Sequence, residues 1–221
     1  MEAKKQPDGT WEIDGLEPWQ ETFETMCENL RNGVNFKFAR YGDGEIFCMD
    51  GKIGRNCDKH EYFPDLGLAL HRSLEDVNYM VGIQPLSVSQ GLQKDYFDGM
   101  TLYNADVLHN ASIKGLLQEF LEYTGWRKVI LVGPKHLEVL WEYMILIPDL
   151  NCWTEYPKIK KILHSRLRGE RNWVVLLCAS MMSEVLINDF KNSPHTFIDM
   201  GSVLSPYAGV KNRRYHQTLE I

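Results

Sequence analysis

The sequence predicts an α/β fold, a Rossmann-like and mostly parallel sheet flanked by helices. Three observations predict it. Residues 128–132 (KVILV), 172–178 (NWVVLLC) and 196–199 (TFID) are short, almost uniformly apolar runs, as expected of parallel strands buried on both faces. Each run ends in small, turn-forming or acidic residues: Gly133-Pro134, Ala179-Ser180 and Met200-Gly201-Ser202. Helical patterns alternate with the first two, which is the βαβ rhythm of a parallel sheet.

In chain order, residues 18–32 space Trp19, Phe23, Met26, Cys27 and Leu30 along one helical face, closed by Gly33. Residues 36–39 read as a short strand and 79–83 as another. After the strand at 128–132, a helix is expected over 136–144. After the strand at 172–178, Ser180 is the expected N-cap of a helix running to about residue 190. No repeat, low-complexity tract or linker divides the 221 residues, so one domain is expected over 1–221, with 1–33 as an N-terminal helical extension.

Composition narrows the function. A hydrophobic fraction of 44% with 24% charged residues is that of a globular chain and excludes a disordered one. No apolar stretch follows the lysines near the N-terminus and no run is long enough to span a bilayer, so a soluble, cytoplasmic protein is expected. Five scattered cysteines lack zinc-ligand spacing and read as reduced thiols. A net charge of −6 argues against nonspecific coating of nucleic acid. Residues 158–171 nevertheless gather six basic residues against one acid. A solvated helix face is the expected reading, with an edge for DNA beside Trp153 and Tyr156 as the other.

Ligands of open α/β sheets collect outside the carboxyl ends of the strands. There the chain places Arg40-Tyr41-Gly42-Asp43-Gly44-Glu45, Gly133-Pro134, Ala179-Ser180 and Asp199-Met200-Gly201-Ser202. Glycines admit a phosphate close to the backbone, and a helix start at Ser180 favours negative charge, so a nucleotide diphosphate suits the set. Asp43 and Glu45, two residues apart, would turn to one side of an extended chain and could share a hard cation, Mg²⁺ or Mn²⁺. Asp-Gly is equally the preferred centre of a tight hairpin, and spacing alone leaves both readings open.

Residues 38–46 (FARYGDGEI) resemble the signature of the GT-D glycosyltransferases, a domain first catalogued as a family of unknown function, whose Asp-x-Glu motif serves a metal and a nucleotide sugar. Residues 197–204 (FIDMGSVL), with Pro206-Tyr207 and Arg213-Arg214-Tyr215, are similar to that family's C-terminal segment, and residues 176–180 (LLCAS) to its nucleotide-side loop. The likeness extends from about residue 36 to 216 and departs where Ser205 stands in place of an expected acid. It implies a GT-D type fold and transfer of a glycosyl group from a nucleoside diphosphate sugar, a UDP-sugar first, with Mn²⁺ or Mg²⁺ on Asp43 and Glu45. Arg40, Gly42, Gly44, Gly133, Pro134, Ser180, Gly201, Ser202, Tyr207 and Arg213 are the expected donor-binding residues.

Glycosyl transfer also needs a base or a carboxylate at the reacting carbon, for which Glu45, Asp106 and Asp199 are the expected catalytic groups. Asn104 could bind a sugar hydroxyl, whereas His71, His136 and His195 read as packing or surface residues. The acceptor is expected to be a glycan or protein glycan, or else a hydroxymethylated base in DNA. A methyltransferase or a non-catalytic nucleotide-binding module is the rival class, for which Gly42-Asp43-Gly44 offers a Gly-x-Gly after the first strand.

Overall fold

The computed structural model describes residues 1–92, 95–211, 213 and 215–218; Arg214, named above within the likeness to the C-terminal segment, lies outside the described residues. The chain opens with a small antiparallel hairpin, β1 (Ala3–Lys5) and β2 (Trp11–Ile13), followed by α1 (Trp19–Arg31). Then come β3 (Lys37–Tyr41), α2 (Asp43–Met49), α3 (Pro64–Ser73), β4 (Met80–Ile83), α4 (Pro85–Ser89), β5 (Leu102–Asn104), α5 (Val107–Ile113) and α6 (Leu117–Gly125). The second half runs β6 (Val129–Gly133), β7 (Met144–Leu146), α7 (Tyr156–Leu167), β8 (Val174–Leu177), α8 (Met182–Asp189) and β9 (Thr196–Asp199).

Seven strands form one sheet in the order β5-β4-β3-β9-β8-β6-β7, and every pairing is parallel. Alternation along the strands divides the apolar residues between two cores. Phe38, Leu131, Leu176 and Ile198 face α1, α5 and α6, while Ala39, Val81, Val132, Leu177 and Phe197 face α2, α3, α7 and α8. Among the described residues no helix is long and apolar enough to cross a membrane.

Several expectations are corrected. Residues 1–33 are not helical throughout: a hairpin precedes α1, and Trp19, Phe23, Met26, Cys27 and Leu30 are buried in the core that α1 shares with α5 and α6. Residues 136–144 do not form a helix. A single 3₁₀ turn, Lys135–Leu137, leads into β7, because buried Ile145 belongs to an extended segment paired with β6 through Leu131–Met144 and Val132–Ile145. Ser180 is not the N-cap of α8, which begins two residues later; it sits in the left-handed region at φ 49° and its hydroxyl accepts a hydrogen bond from Asn56 Nδ2 (3.0 Å). All five cysteines are free thiols, as expected.

Candidate functional site

A cleft of about 640 Å³ opens at the carboxyl ends of the strands. Of the residues singled out by sequence, Arg40, Gly42, Asp43, Gly44, Glu45, Asp106, Pro134, Ser180, Asp199, Gly201, Ser202 and Arg213 line it. They arrive from the ends of β3, β5, β6, β8 and β9, so the strand-end rule finds them despite their separation in sequence. Gly133 and Tyr207 are not on its wall. Gly133 is buried in packing: a Cβ there would come 3.0 Å from Leu137 Cδ1 and 3.2 Å from Cys178 Cβ.

Asp43 and Glu45 do not lie on an extended chain or in a hairpin turn. They occupy the first turn of α2, where residues two apart point in diverging directions. Glu45 reaches back so that its Oε2 accepts the Gly42 N–H (2.7 Å), while Asp43 Oδ1 accepts the Gly44 N–H (2.8 Å). Both acids thus satisfy donors at a helix start and keep lone pairs free for the cleft. Gly42 lies close against Gln84: a Cβ would fall 2.6 Å from Gln84 Oε1, and that amide would have to shift.

The cleft floor concentrates carboxyl groups. Burial pushes Glu45 up to about 7, and the charges of Asp199 and Asp43 add to the shift. Burial also raises Asp199, although Arg40, the Gly201 N–H and Glu184 pull it back. Asp199 Oδ1 accepts that N–H at 2.9 Å. Glu184, on α8, is almost wholly buried, and burial together with the charges of Asp199 and Glu45 raises it well above the carboxylate range. Glu184 and Asp199 are close enough for the charge of Asp199 to raise Glu184, so their proton affinities are linked.

Beside this floor stands a cation with its own carboxylate. Arg40 Nε donates to the Ala105 carbonyl (2.8 Å), and its guanidinium approaches Asp106 Oδ1 (3.8 Å). Asp106 also bonds His109 Nδ1 (3.0 Å). Burial works against the charge on Asp106, but the hydrogen bond and charge of His109 and the charge of Arg40 together hold its carboxyl below the usual range. Gly201 makes this arrangement possible: at φ 54°, its absent Cβ would collide with the Arg40 guanidinium. Arg213 is paired with the Asp58 carboxylate on another part of the wall.

Sequence reasoning missed Glu184, His109, Asn56 and Asp58 as cleft residues. The signal for Glu184 was a lone carboxylate within the apolar run MMSEVLI. His109 stands one helical turn after Asp106. His136, read as packing or surface, is on the wall and bonds Ser205 Oγ through Nε2 (3.2 Å). Asn104 does not reach for a sugar; its Nδ2 donates to the Trp11 carbonyl (2.8 Å). The basic residues of 158–171 lie off the cleft, with Lys158 paired to Glu155 and Lys160 to Asp189.

An all-parallel sheet flanked by helices, with an acid-floored cleft at its strand ends, defines the class as an open α/β fold. Within that class, the chain has the fold of three solved structures. One is a selenomethionine-substituted domain of unknown function 1792, at TM-score 0.63 and 15% identity over 84% of this chain and 78% of that one. The second, described as that domain having a distinct glycosyltransferase fold, aligns at TM-score 0.62 and 16% identity with the same coverage. The third, described as a new glycosyltransferase (DUF1792) from Streptococcus sanguinis, aligns at TM-score 0.60 and 14% identity over 84% and 81%. The sequence matches no protein-family model and no curated protein. The GT-D type fold expected from residues 38–46 and 197–204 is therefore the observed one.

Proposed function

We propose that this chain is a metal-dependent glycosyltransferase that moves a sugar from a nucleoside diphosphate sugar, a UDP-sugar first, to a hydroxyl of a carbohydrate acceptor. The observation that carries the reading is the cluster of Asp43, Glu45, Glu184 and Asp199 at the strand ends with Arg40 beside it. Glu45 and Glu184 are raised by neighbouring carboxylates although Arg40 stands beside Asp199, and a bound divalent cation would add the counter-charge that they are short of. Hard oxygen donors suit Mg²⁺ or Mn²⁺.

Among the described residues no group of three His, Cys, Asp or Glu side chains is placed to hold an ion unaided. Asp43 and Glu45 would hold it jointly with diphosphate oxygens and water, the arrangement usual for Mg²⁺. When bound, the ion neutralises charge on the leaving diphosphate. Arg40, fixed by Ala105 and Asp106, adds a guanidinium directed at the same negative charge. Asp199, whose carboxyl keeps an affinity for protons above the ordinary, accepts the proton of the attacking hydroxyl or faces the cationic sugar carbon. A glycan acceptor is preferred to DNA because the basic segment 158–171 is outside the cleft.

The test is incubation of the full chain with a panel of nucleotide sugars and Mn²⁺, followed by detection of free nucleotide. Release from at least one donor, lost in EDTA, is expected. No release from any donor overturns the transferase reading, and full release in EDTA overturns the metal.

A further inference from the structure

The hairpin β1–β2 is held over one end of the cleft by an unusual concentration of hydrogen bonds on a single residue. Asn110 Oδ1 accepts the Trp11 N–H (3.0 Å), and the Trp11 carbonyl accepts both Asn110 Nδ2 (2.8 Å) and Asn104 Nδ2 (2.8 Å). Both asparagines are buried, on α5 and at the end of β5, the strand at one edge of the sheet. A buried amide is costly unless satisfied, so three bonds directed at one main-chain residue fix its position firmly.

Trp11 and Ile13 share a face of β2, since side chains alternate along a strand, and Ile13 is buried in the core. The Trp11 side chain is therefore turned toward the protein body. Among the described residues it packs into neither apolar core, and Trp11 is a half-buried residue of the cleft wall, which Lys5, His109, Asn110 and Ile113 also line. The opposite end of the cleft, near Pro134, His136, Leu137 and Asp149, has no tryptophan.

We propose that Trp11 is the platform of the acceptor subsite, on which a pyranose ring of a carbohydrate acceptor stacks. This rests on the glycosyltransferase reading. The electron-rich face of an indole attracts the weakly positive C–H groups of a sugar, and a rigid aromatic costs little entropy to order. The Asn104–Asn110 clamp holds the ring on the β5 side of the acid cluster, and the cluster then lies between this platform and the β6 side of the cleft.

The experiment is isothermal titration of the full chain with disaccharides ending in glucose, galactose, mannose or N-acetylglucosamine, and separately with UDP in Mn²⁺. The parent should bind at least one disaccharide. Trp11→Ala should weaken that binding at least about tenfold, the fold-change of a lost aromatic contact, with Trp11→Phe recovering most of it. Asn110→Ala, which frees the hairpin while leaving the indole in place, should weaken it too. UDP affinity should shift less than about threefold in Trp11→Ala, a change too small for a lost stacking partner. A tenfold loss of UDP affinity would assign the indole to the donor's base and overturn the proposal. So would disaccharide binding that survives Trp11→Ala, or a parent that binds none of the panel. Failure of the parent to bind UDP would instead count against the donor reading, and the two failures are thereby distinct.

Discussion

The acid floor of the cleft and the basic face of α7 invite comparison, because both are concentrations of like charge and the fold treats them oppositely. On α7 and just after it, Lys161, Arg166 and Arg168 are exposed to solvent, and Lys158 and Lys160 reach nearby acids. Water and counter-charge cover them, and such pairs contribute little. On the cleft floor, Glu184 and Asp199 are buried against one another with Glu45 near, and their proton affinities climb. Charge in a sequence is thus a poor guide to function until burial is known. Unrelieved charge is the informative kind, because it is held against its own free energy.

That contrast can be broken or sharpened by experiment. The largest effect should come from Asp43→Asn and Glu45→Gln, each lowering nucleotide release by roughly 100-fold or more, with the circular dichroism spectrum retained. A smaller loss would mean that the acid floor does not hold the donor. Next is Gly201→Ala, where a new methyl meets the Arg40 guanidinium at a backbone φ that suits glycine. Melting should show a destabilisation on the order of 1–3 kcal/mol, together with reduced nucleotide affinity.

A third measurement is the pH dependence of stability in the absence of metal. Glu45 binds its proton more tightly folded, at about 7, than at its ordinary 4.5. Its contribution is complete below the lower value and is lost as pH rises through the upper one. Glu184 and Asp199 are raised as well and act in the same direction. Their contribution should therefore fall from acid toward neutral pH, against that of Asp106 and the buried histidines, whose lowered pKa values act oppositely, so it is read as the difference in melting-temperature slope between the parent and Glu184→Gln. Equal slopes in the two proteins would show the acids to be solvated. Smallest of all, Lys161→Glu with Arg166→Glu should change stability by less than about 0.5 kcal/mol and leave nucleotide release as it was, as expected of a solvated face.

Legibility in the sequence followed the same physics. β6, β8 and β9 were readable because strands buried on both faces leave nearly uninterrupted apolar runs, and the residues after them were readable because topology brings strand ends together. The hairpin was not: its strands are three residues long, and its position depends on side chains some 100 residues away, Asn104 and Asn110. The Asp43–Glu45 pair lines the cleft but on another backbone than the extended one expected, since a helix start and an extended segment can share the same three residues. Glu184 was hidden because helix α8 is buried on nearly every side, which gives its one acid no amphipathic face to mark it.

The position of β9 has a consequence for how the molecule is made. The strand lies between β3 and β8, so the sheet consists of one block, β5-β4-β3, another, β8-β6-β7, and a keystone synthesised after both. Each block can pair its own strands while the chain is still growing, but Asp199, and with it the floor that joins Glu45 to Glu184, is completed only when β9 inserts between them. Pairing of β3 with β9 joins segments far apart in the sequence, the slow kind of contact, and a nascent chain ending before β9 would lack Asp199 and with it the completed cleft floor.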